Sequence, residues 1–419
     1  MHKFYLIFFF FTAFLKAQTP IIDSVFIEGN KKAKIQYLER FIRAKKGDRL
    51  NIDLLKDDAQ NLTNLPSIYD CRYKVDTTNQ ICNVYYIIQE SQTLIPFMNF
   101  GVSDEKSSNW ILGGITEYNF LGYGIILEGS YQYNKKNTFQ ILSTIPYIGI
   151  GNIGMEINFK KWASIEPLYF TDTKEKVLYD YNNNSFELAF LYHLNLKNSL
   201  RISYSFFQEK YERITNKYQD KPGHADELKN AISLQYKWEK VDYFYHLHSG
   251  WRFFANTTSV KSNGRTLGDY FQADFKLSYF KRIRKNGNLA MALTMGWANN
   301  PDSPFTSFVM DNQINLRGVG DRVARGAAIA SFNTEYRFDI YSNNWMAVQN
   351  VIFHDVTTIQ LMEMSYSNSM DVKNFRNFTG LGLRFILKKV HSAIFRIDFG
   401  LETNEPSTNG LVIGFGQFI

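Results

Sequence analysis

The stretch Ala393-Ile394-Phe395-Arg396-Ile397-Asp398-Phe399-Gly400-Leu401-Glu402 decides how this chain is read. Ala393, Phe395, Ile397, Phe399 and Leu401 are apolar, whereas Arg396, Asp398, Gly400 and Glu402 are not. A period of two is the signature of a strand with one apolar and one polar face. The same alternation runs through Ala330, Phe332, Tyr336, Phe338 and Ile340 against Ser331, Asn333, Glu335, Arg337 and Asp339. It recurs as Leu289, Met291, Leu293, Met295 and Trp297 against Ala290, Ala292, Thr294, Gly296 and Ala298.

Alternation alone does not separate a soluble sandwich from a membrane barrel. Length and composition do. Strand-like runs of roughly 9–15 residues recur from Thr93 onward, and about 9–11 residues cross the hydrocarbon core. The 419 residues are 16% aromatic and 45% apolar, yet mean hydropathy is −0.28. No stretch after the first 17 residues approaches the roughly 18 uninterrupted apolar residues of a membrane helix. Trp110, Trp162, Trp251, Trp297 and Trp345 sit near strand ends, as interfacial girdles require. The reading is an all-β transmembrane barrel of about sixteen antiparallel strands, an even count. The sixth strand is expected from Ser185 and the ninth from Asp242, with long loops at 163–184, 214–226, 300–327 and 359–377.

Met1 to Ala17 reads as an export signal: Lys3, an apolar run from Tyr5 to Leu15, then the small Ala17. The domains expected are a signal peptide at 1–17, a small α+β domain at 18–92 and the barrel at 93–419. The net charge of +7 falls to +5 without Lys3 and Lys16, too mild and scattered for nucleic acid.

The segment 18–92 has the order strand, helix, helix, strand, strand. Ile22 to Glu28 alternates and ends at Gly29-Asn30. Ile35, Leu38, Phe41 and Ile42 fall on one helical face, which Gly47 ends. Asn51 suits the cap of a second helix carrying Leu55, Ala59, Leu62 and Leu65, closed by Pro66. Cys71, Tyr73 and Val75 then share a face, as do Cys82, Val84, Tyr86 and Ile88. The two cysteines face each other only if the turn centres near Asp76-Thr77; the polar run to Gln80 suggests a later centre. A Cys71–Cys82 disulfide and two buried thiols both stay open. With no CxxC spacing, zinc is not expected.

This segment resembles a POTRA domain, through Ile22-x-x-Val25-x-Ile27-x-Gly29-Asn30, through Asn64-Leu65-Pro66-Ser67-Ile68 and through Glu90. The barrel adds Asn315-Leu316-Arg317-Gly318-Val319-Gly320-Asp321, Arg325-Gly326 and Asn333-x-Glu335-x-Arg337-Phe338. These motifs resemble the sixth extracellular loop and twelfth strand of the BamA–TamA superfamily of outer-membrane proteins. Gly380-Leu381-Gly382-Leu383-Arg384-Phe385 and Arg396-Ile397-Asp398-Phe399 are similar to its strands fourteen and fifteen. Val319 stands where that family usually has an aromatic, and Val356 where it has a glycine.

The resemblance implies a loop folded into the lumen, with Arg317 and Gly318 at its tip and Asp355 as its acidic partner. Glu335, Arg337, Arg384, Arg396 and Asp398 would line a mixed-charge lumen. A lateral seam between first and last strands would involve Phe97, Phe100, Phe415 and Phe418. It further implies a non-enzymatic, cofactor-free machine of the bacterial outer membrane, with its N-terminal domain in the periplasm. That machine would assemble outer-membrane proteins or translocate a polypeptide. The expected partners are outer-membrane lipids, unfolded or extended polypeptides, and accessory proteins. A single POTRA domain suits a specialised or accessory member, and the alternative is a passive pore or a structural subunit.

Other signals carry less. Gly149-Ile150-Gly151-Asn152-Ile153-Gly154 has dinucleotide-site spacing but no helix to follow it. His246 and His248 share a strand face without a third ligand nearby. No G-x-S-x-G elbow is present for a fused lipase.

Overall fold

A computed structural model describes residues 20–419 except 79–80, 102–109, 134, 169, 171–176, 215–217, 302, 304, 321–322, 362–364 and 405–406. The expected signal peptide and Asp321 lie outside the described residues.

The N-terminal unit packs two helices on a three-stranded sheet. Strand β1 (Ser24–Glu28) runs parallel to β3 (Asn83–Glu90), which pairs antiparallel with β2 (Ile68–Asp76), giving the order β1-β3-β2. Helix α1 (Ile35–Leu38) is one turn continued by a 3-10 turn. Helix α2 (Ile52–Thr63) starts at Asn51, whose side chain accepts from the backbone N–H of Asp53 and Leu54. The core joins Leu38, Leu55 and Leu62 to Val84, Tyr86 and Ile88. At its centre the fully buried Asp58 accepts from the N–H of Arg43 and of Ala44 at 2.9 Å, from Arg43 Nε at 3.0 Å and from the Tyr86 hydroxyl at 3.2 Å. A buried carboxylate with four donors is a satisfied one.

The two cysteines are free and buried. Cys71 pairs across the ladder with Ile88, and Asp76 with Asn83, so the turn centres late. Cys82 is thereby displaced six residues along β3 from the position facing Cys71, about 20 Å at strand rise. A disulfide needs Cα atoms within about 7 Å. The disulfide option is thus excluded, and burial pushes the Cys71 thiol up to about 12.

The rest is a closed antiparallel barrel. Its strands are β4 (Leu94–Gly101), β5 (Trp110–Phe120), β6 (Ile125–Tyr133), β7 (Asn137–Ile145), β8 (Ile153–Leu168), β9 (Val177–Asn195), β10 (Asn198–Arg213) and β11 (His224–Phe244). They continue with β12 (Leu247–Ser262), β13 (Tyr270–Ile283) and β14 (Gly287–Ala298). A long loop then carries the short hairpin β15 (Phe308–Met310) and β16 (Ala324–Gly326). Strands β17 (Ala328–Ser342), β18 (Met346–Gln360), β19 (Arg376–Leu387), β20 (Ile394–Glu402) and β21 (Asn409–Phe415) close the wall. Sixteen described strands form the barrel once the β15–β16 hairpin is set aside.

Burial is inverted relative to a soluble protein. Leu381, Leu383, Phe385 and Leu387 on β19 are exposed to the lipid side, whereas Arg384 is fully buried inside. Strand β20 repeats the pattern with Phe399 and Leu401 outside and Asp398 inside. The expected strand bounds need two corrections. The sixth barrel strand begins at Val177, ahead of Ser185, and β8 runs on to Leu168. The ninth begins at Leu247, because Asp242 to Phe244 complete β11 before a turn at Tyr245 with φ of 59°. Asn182-Asn183-Asn184-Ser185 has loop composition yet pairs on both sides. Strands β8 to β12 are 16–21 residues long, more than the roughly 9–11 that cross a hydrocarbon core, so part of each meets water on both faces and the alternation fades there. Trp110 departs from the girdle: it points inward and is 9% exposed, while Trp251, Trp297 and Trp345 are exposed outside.

The N-terminal unit sits on the barrel turns at one end. Lys34 N–H donates to the Gly122 carbonyl at 2.9 Å, and Arg40 Nη1 to the Gly151 carbonyl at 3.0 Å. Tyr243 N–H donates to Asn64 Oδ1 at 3.0 Å, and the Tyr69 and Tyr245 rings lie 4.6 Å apart. Gln92 bridges to Val390 in the β19–β20 turn. A cavity of about 810 Å³ lies between this unit and the barrel mouth, lined among others by Tyr69, Lys237, Arg252, Lys276 and Phe418.

Candidate functional site: an infolded loop, a charged lumen and a short seam

The loop between β14 and β17 folds into the barrel. Arg317 is fully buried, and its Nε and Nη2 reach Asp355 Oδ2 and Oδ1 at 2.8 and 2.9 Å. Its backbone N–H also donates to Asp355 Oδ2, at 3.2 Å. This is the fork-to-carboxylate geometry that only arginine offers. Arg317 Nη1 reaches Glu335 Oε2 at 2.5 Å. The guanidinium lies 3.8 Å from the Phe353 ring centroid and 4.1 Å from that of Phe418.

The expected lumen residues converge on the same place. Arg337 Nε donates to Glu335 Oε1 at 2.6 Å, and Arg384 Nη1 to Asp398 Oδ1 at 2.7 Å. Arg384 Nη2 stands 3.8 Å from Glu335, and Arg396 Nη1 stands 3.4 Å from Asp398. Arg396 Nη2 donates to Gln313 Oε1 at 2.5 Å, which ties the loop to β20. These four guanidiniums face three carboxylates, so removing either sign leaves buried charge uncompensated.

Sequence reasoning missed what seats the tip. Gly318 adopts φ of 95°, a region that favours glycine. It rests on Gly400 and Gly410, cross-strand partners on β20 and β21. A Cβ on Gly400 would come within 2.5 Å of the Arg317 carbonyl oxygen, and one on Gly410 within 2.7 Å of the Gly318 oxygen. The two glycines form a notch in the wall. Asn315 and its neighbours complete the seat: the Asn315 carbonyl accepts from Asn333 Nδ2 at 2.9 Å and Thr357 Oγ1 at 3.2 Å. Farther up, Arg325 Nη2 pairs with the buried Glu166 at 3.0 Å, and Phe305 packs 4.2 Å from Tyr211. Only the paired small residues at 400 and 410 could have hinted at the notch, and pairing needs the register.

The barrel closes between β4 and β21. Among the described residues the ladder there joins Gly101 to Val412 and Phe100 to Ile413, and Leu94 to Asn99, all paired with β5, have no ladder partner on β21. The freed N–H of Phe415 is taken by Asn99 Oδ1 at 2.6 Å. Phe100 pairs across the seam, Phe97 lies over Gly114 of β5, and Phe415 meets Phe395 of β20 edge-to-face at 5.8 Å. Phe418 is not on the seam. Gly416, with φ of 84°, ends the strand and turns the chain inward, which places Phe418 beneath Arg317. Among the described residues no group of three or more His, Cys, Asp or Glu is arranged to hold a metal. His246 Nε2 is bonded to Asp339 Oδ1 at 2.9 Å.

A closed sixteen-stranded barrel with a lumenal loop, a charged interior and a short seam is the architecture of an outer-membrane barrel. The Omp85 superfamily domain model matches residues 119–418. The chain therefore belongs to the Omp85 superfamily. Among solved structures, it is similar to BamA from Haemophilus ducreyi lacking POTRA domains 1-3, at 14% identity and a TM-score of 0.57, covering 94% of this chain and 84% of that one. It is also similar to CdiB from Escherichia coli, at 10% identity and a TM-score of 0.61, covering 96% and 77%. CdiB from Acinetobacter baumannii matches at 13% identity and 0.56, covering 96% and 74%. A search among curated proteins finds no match.

Proposed function

We propose that this chain inserts proteins into the outer membrane, or moves a polypeptide across it, through the β4–β21 seam. The observation that carries the reading is that, among the described residues, Leu94 to Asn99 of β4 pair with β5 but have no ladder partner on β21. Unpaired strand edges template an incoming strand. The N-terminal unit is a POTRA-type periplasmic domain, and it holds or orients the extended substrate at the barrel mouth. Accessory proteins assist, and the chemistry is non-covalent: the chain is not an enzyme and works without a cofactor. The buried loop favours this reading over a passive pore, since a diffusion channel gains nothing from a lumen filled by Arg317 and its partners.

Depletion of the protein is expected to lower particular outer-membrane proteins or one secreted partner, read by quantitative proteomics. An unchanged outer-membrane and secreted proteome sinks the proposal. A Phe100→Cys/Ile413→Cys pair, which locks the seam, is expected to abolish function until a reductant is added.

A further inference from the structure

The segment after β21 leaves the wall and crosses the lumen. Gly416 turns it inward, and the Gly416 N–H donates to the Ile394 carbonyl at 2.8 Å. Gln417 Oε1 then accepts from Arg384 Nε at 3.2 Å. Phe418 lies under the Arg317 guanidinium at 4.1 Å, with Arg396 at 5.4 Å from the same ring. The Ile419 main-chain oxygen accepts from Arg337 Nη2 at 3.0 Å. The Ile419 side chain is 8% exposed and clusters with Val241, Phe280, Ala290 and Ala292. Those residues belong to β11, β13 and β14, and β11 is eight strands from β21 in either direction round the barrel. Four residues thus reach from the seam to the opposite wall.

Each contact has a physical reason. The lumen cluster has more guanidiniums than carboxylates, so Gln417 and the Ile419 oxygen supply acceptors that it lacks. The Arg317 cation sits between two aromatic rings, a desolvated cation–π arrangement. The Ile419 side chain packs into an apolar cluster of the inner wall.

We infer that the inner wall carries a binding site for an extended aromatic–aliphatic segment, that residues 416–419 of this chain occupy it, and that Arg317–Phe418 contact ties the loop tip to the seam. Strand β21 ends at Phe415 and its ladder with β4 at Ile413, and Gln417 to Ile419 cannot pair with β4 while they are held inside. Nor can the tip leave the Gly400–Gly410 notch without losing the Phe418 ring. Seating of the loop and the inward course of the tail are therefore one cooperative state. The consequence for the seam rests on the reading above, but the contact itself does not.

The test measures the seam in the full-length protein in lipid vesicles, with no substrate present. A Phe100→Cys/Ile413→Cys pair is placed in a Cys71→Ala/Cys82→Ala background, and its disulfide closure rate is followed under mild oxidant. Phe418→Ala is expected to change the rate about two- to thirtyfold, the span of such cation–π contacts, and Arg317→Ala, which also strands Asp355 and Glu335, by at least as much. The double variant is expected to change it no further than Arg317→Ala alone. Phe418→Leu should behave as Phe418→Ala, and Phe418→Trp should keep the parent rate. Heat-modifiable gel migration identifies folded barrels, and if Phe418→Ala fails to fold, Phe418→Leu gives the reading. Multiplying effects, or no effect of Phe418→Leu, overturn the inference. Because no substrate is involved, a protein that moves none would still show the coupling. A protein that moves substrate without the coupling would refute the latch alone.

Discussion

Arg317 makes four hydrogen bonds to two carboxylates at zero exposure, so it is held in place by charge as much as by shape. Arg317→Ala is expected to strand Asp355 and Glu335 and to cost about 3–5 kcal/mol. Arg317→Lys restores charge without the fork and should recover only part of the loss. Barrel melting followed by heat-modifiable migration distinguishes the two, and an Arg317→Ala barrel as stable as the parent would refute the account. Asp355 shows how much here was legible: the motif resemblance pairs it with Arg317, and the structure puts them 2.8 Å apart. The Phe418 ring was not legible there, because a residue after a strand has no parity to follow. Cys71 belongs to this scale too. Its thiol, pushed up to about 12 by burial, is expected to resist maleimide at neutral pH until the N-terminal unit unfolds. Labelling of the native protein at the rate of a free thiol would contradict this.

Among the elements, the loop and its notch depend on two glycines that face each other across β20 and β21. Gly400→Ala or Gly410→Ala adds a methyl group where carbonyl oxygens of the tip already stand, at 2.5 and 2.7 Å. Each is expected to cost about 1–3 kcal/mol and to expose the loop. Limited proteolysis from the outside should then cleave between 299 and 327, where the parent resists. The β19–β20 turn makes a second element-scale prediction. Burial lowers His391 to about 4, and its ring packs 4.6 Å from Tyr118. A depressed histidine is neutral when folded, so its stabilising share is present above about pH 6.5 and is lost as pH falls towards 4. Melting temperature should decline over that window, and less so for His391→Gln. The same decline in both proteins would assign the effect elsewhere.

For the whole molecule, the described strands close into one ring, and the Arg317 loop and residues 416–419 of the chain itself occupy the lumen. Planar-bilayer recordings of the intact protein are expected to show small, unsteady conductance. Removal of residues 305–325 should open a large and steady pore. A large, steady pore in the intact chain would favour a passive channel over the proposed machine. The docked N-terminal unit, with Arg40 on Gly151 and Asn64 on Tyr243, closes over the other mouth and leaves the 810 Å³ vestibule there.

The sequence by itself determined the barrel, its strand number, the order of the small domain and the identity of the charged lumen set. A period of two is imposed on every strand that separates lipid from a polar interior, so it is written locally in Phe395 to Glu402 and its equivalents. The tall strands around Asn182 to Ser185 escaped because water on both faces removes the contrast that makes the period visible. Tertiary structure alone decided the rest: which residue faces Cys71, that Trp110 points inward, that Gly400 and Gly410 meet, and that Phe418 crosses to Arg317. Each of these depends on register or on where a chain turns once it leaves a strand. Register is set by pairing between segments far apart in sequence, and no local pattern carries it.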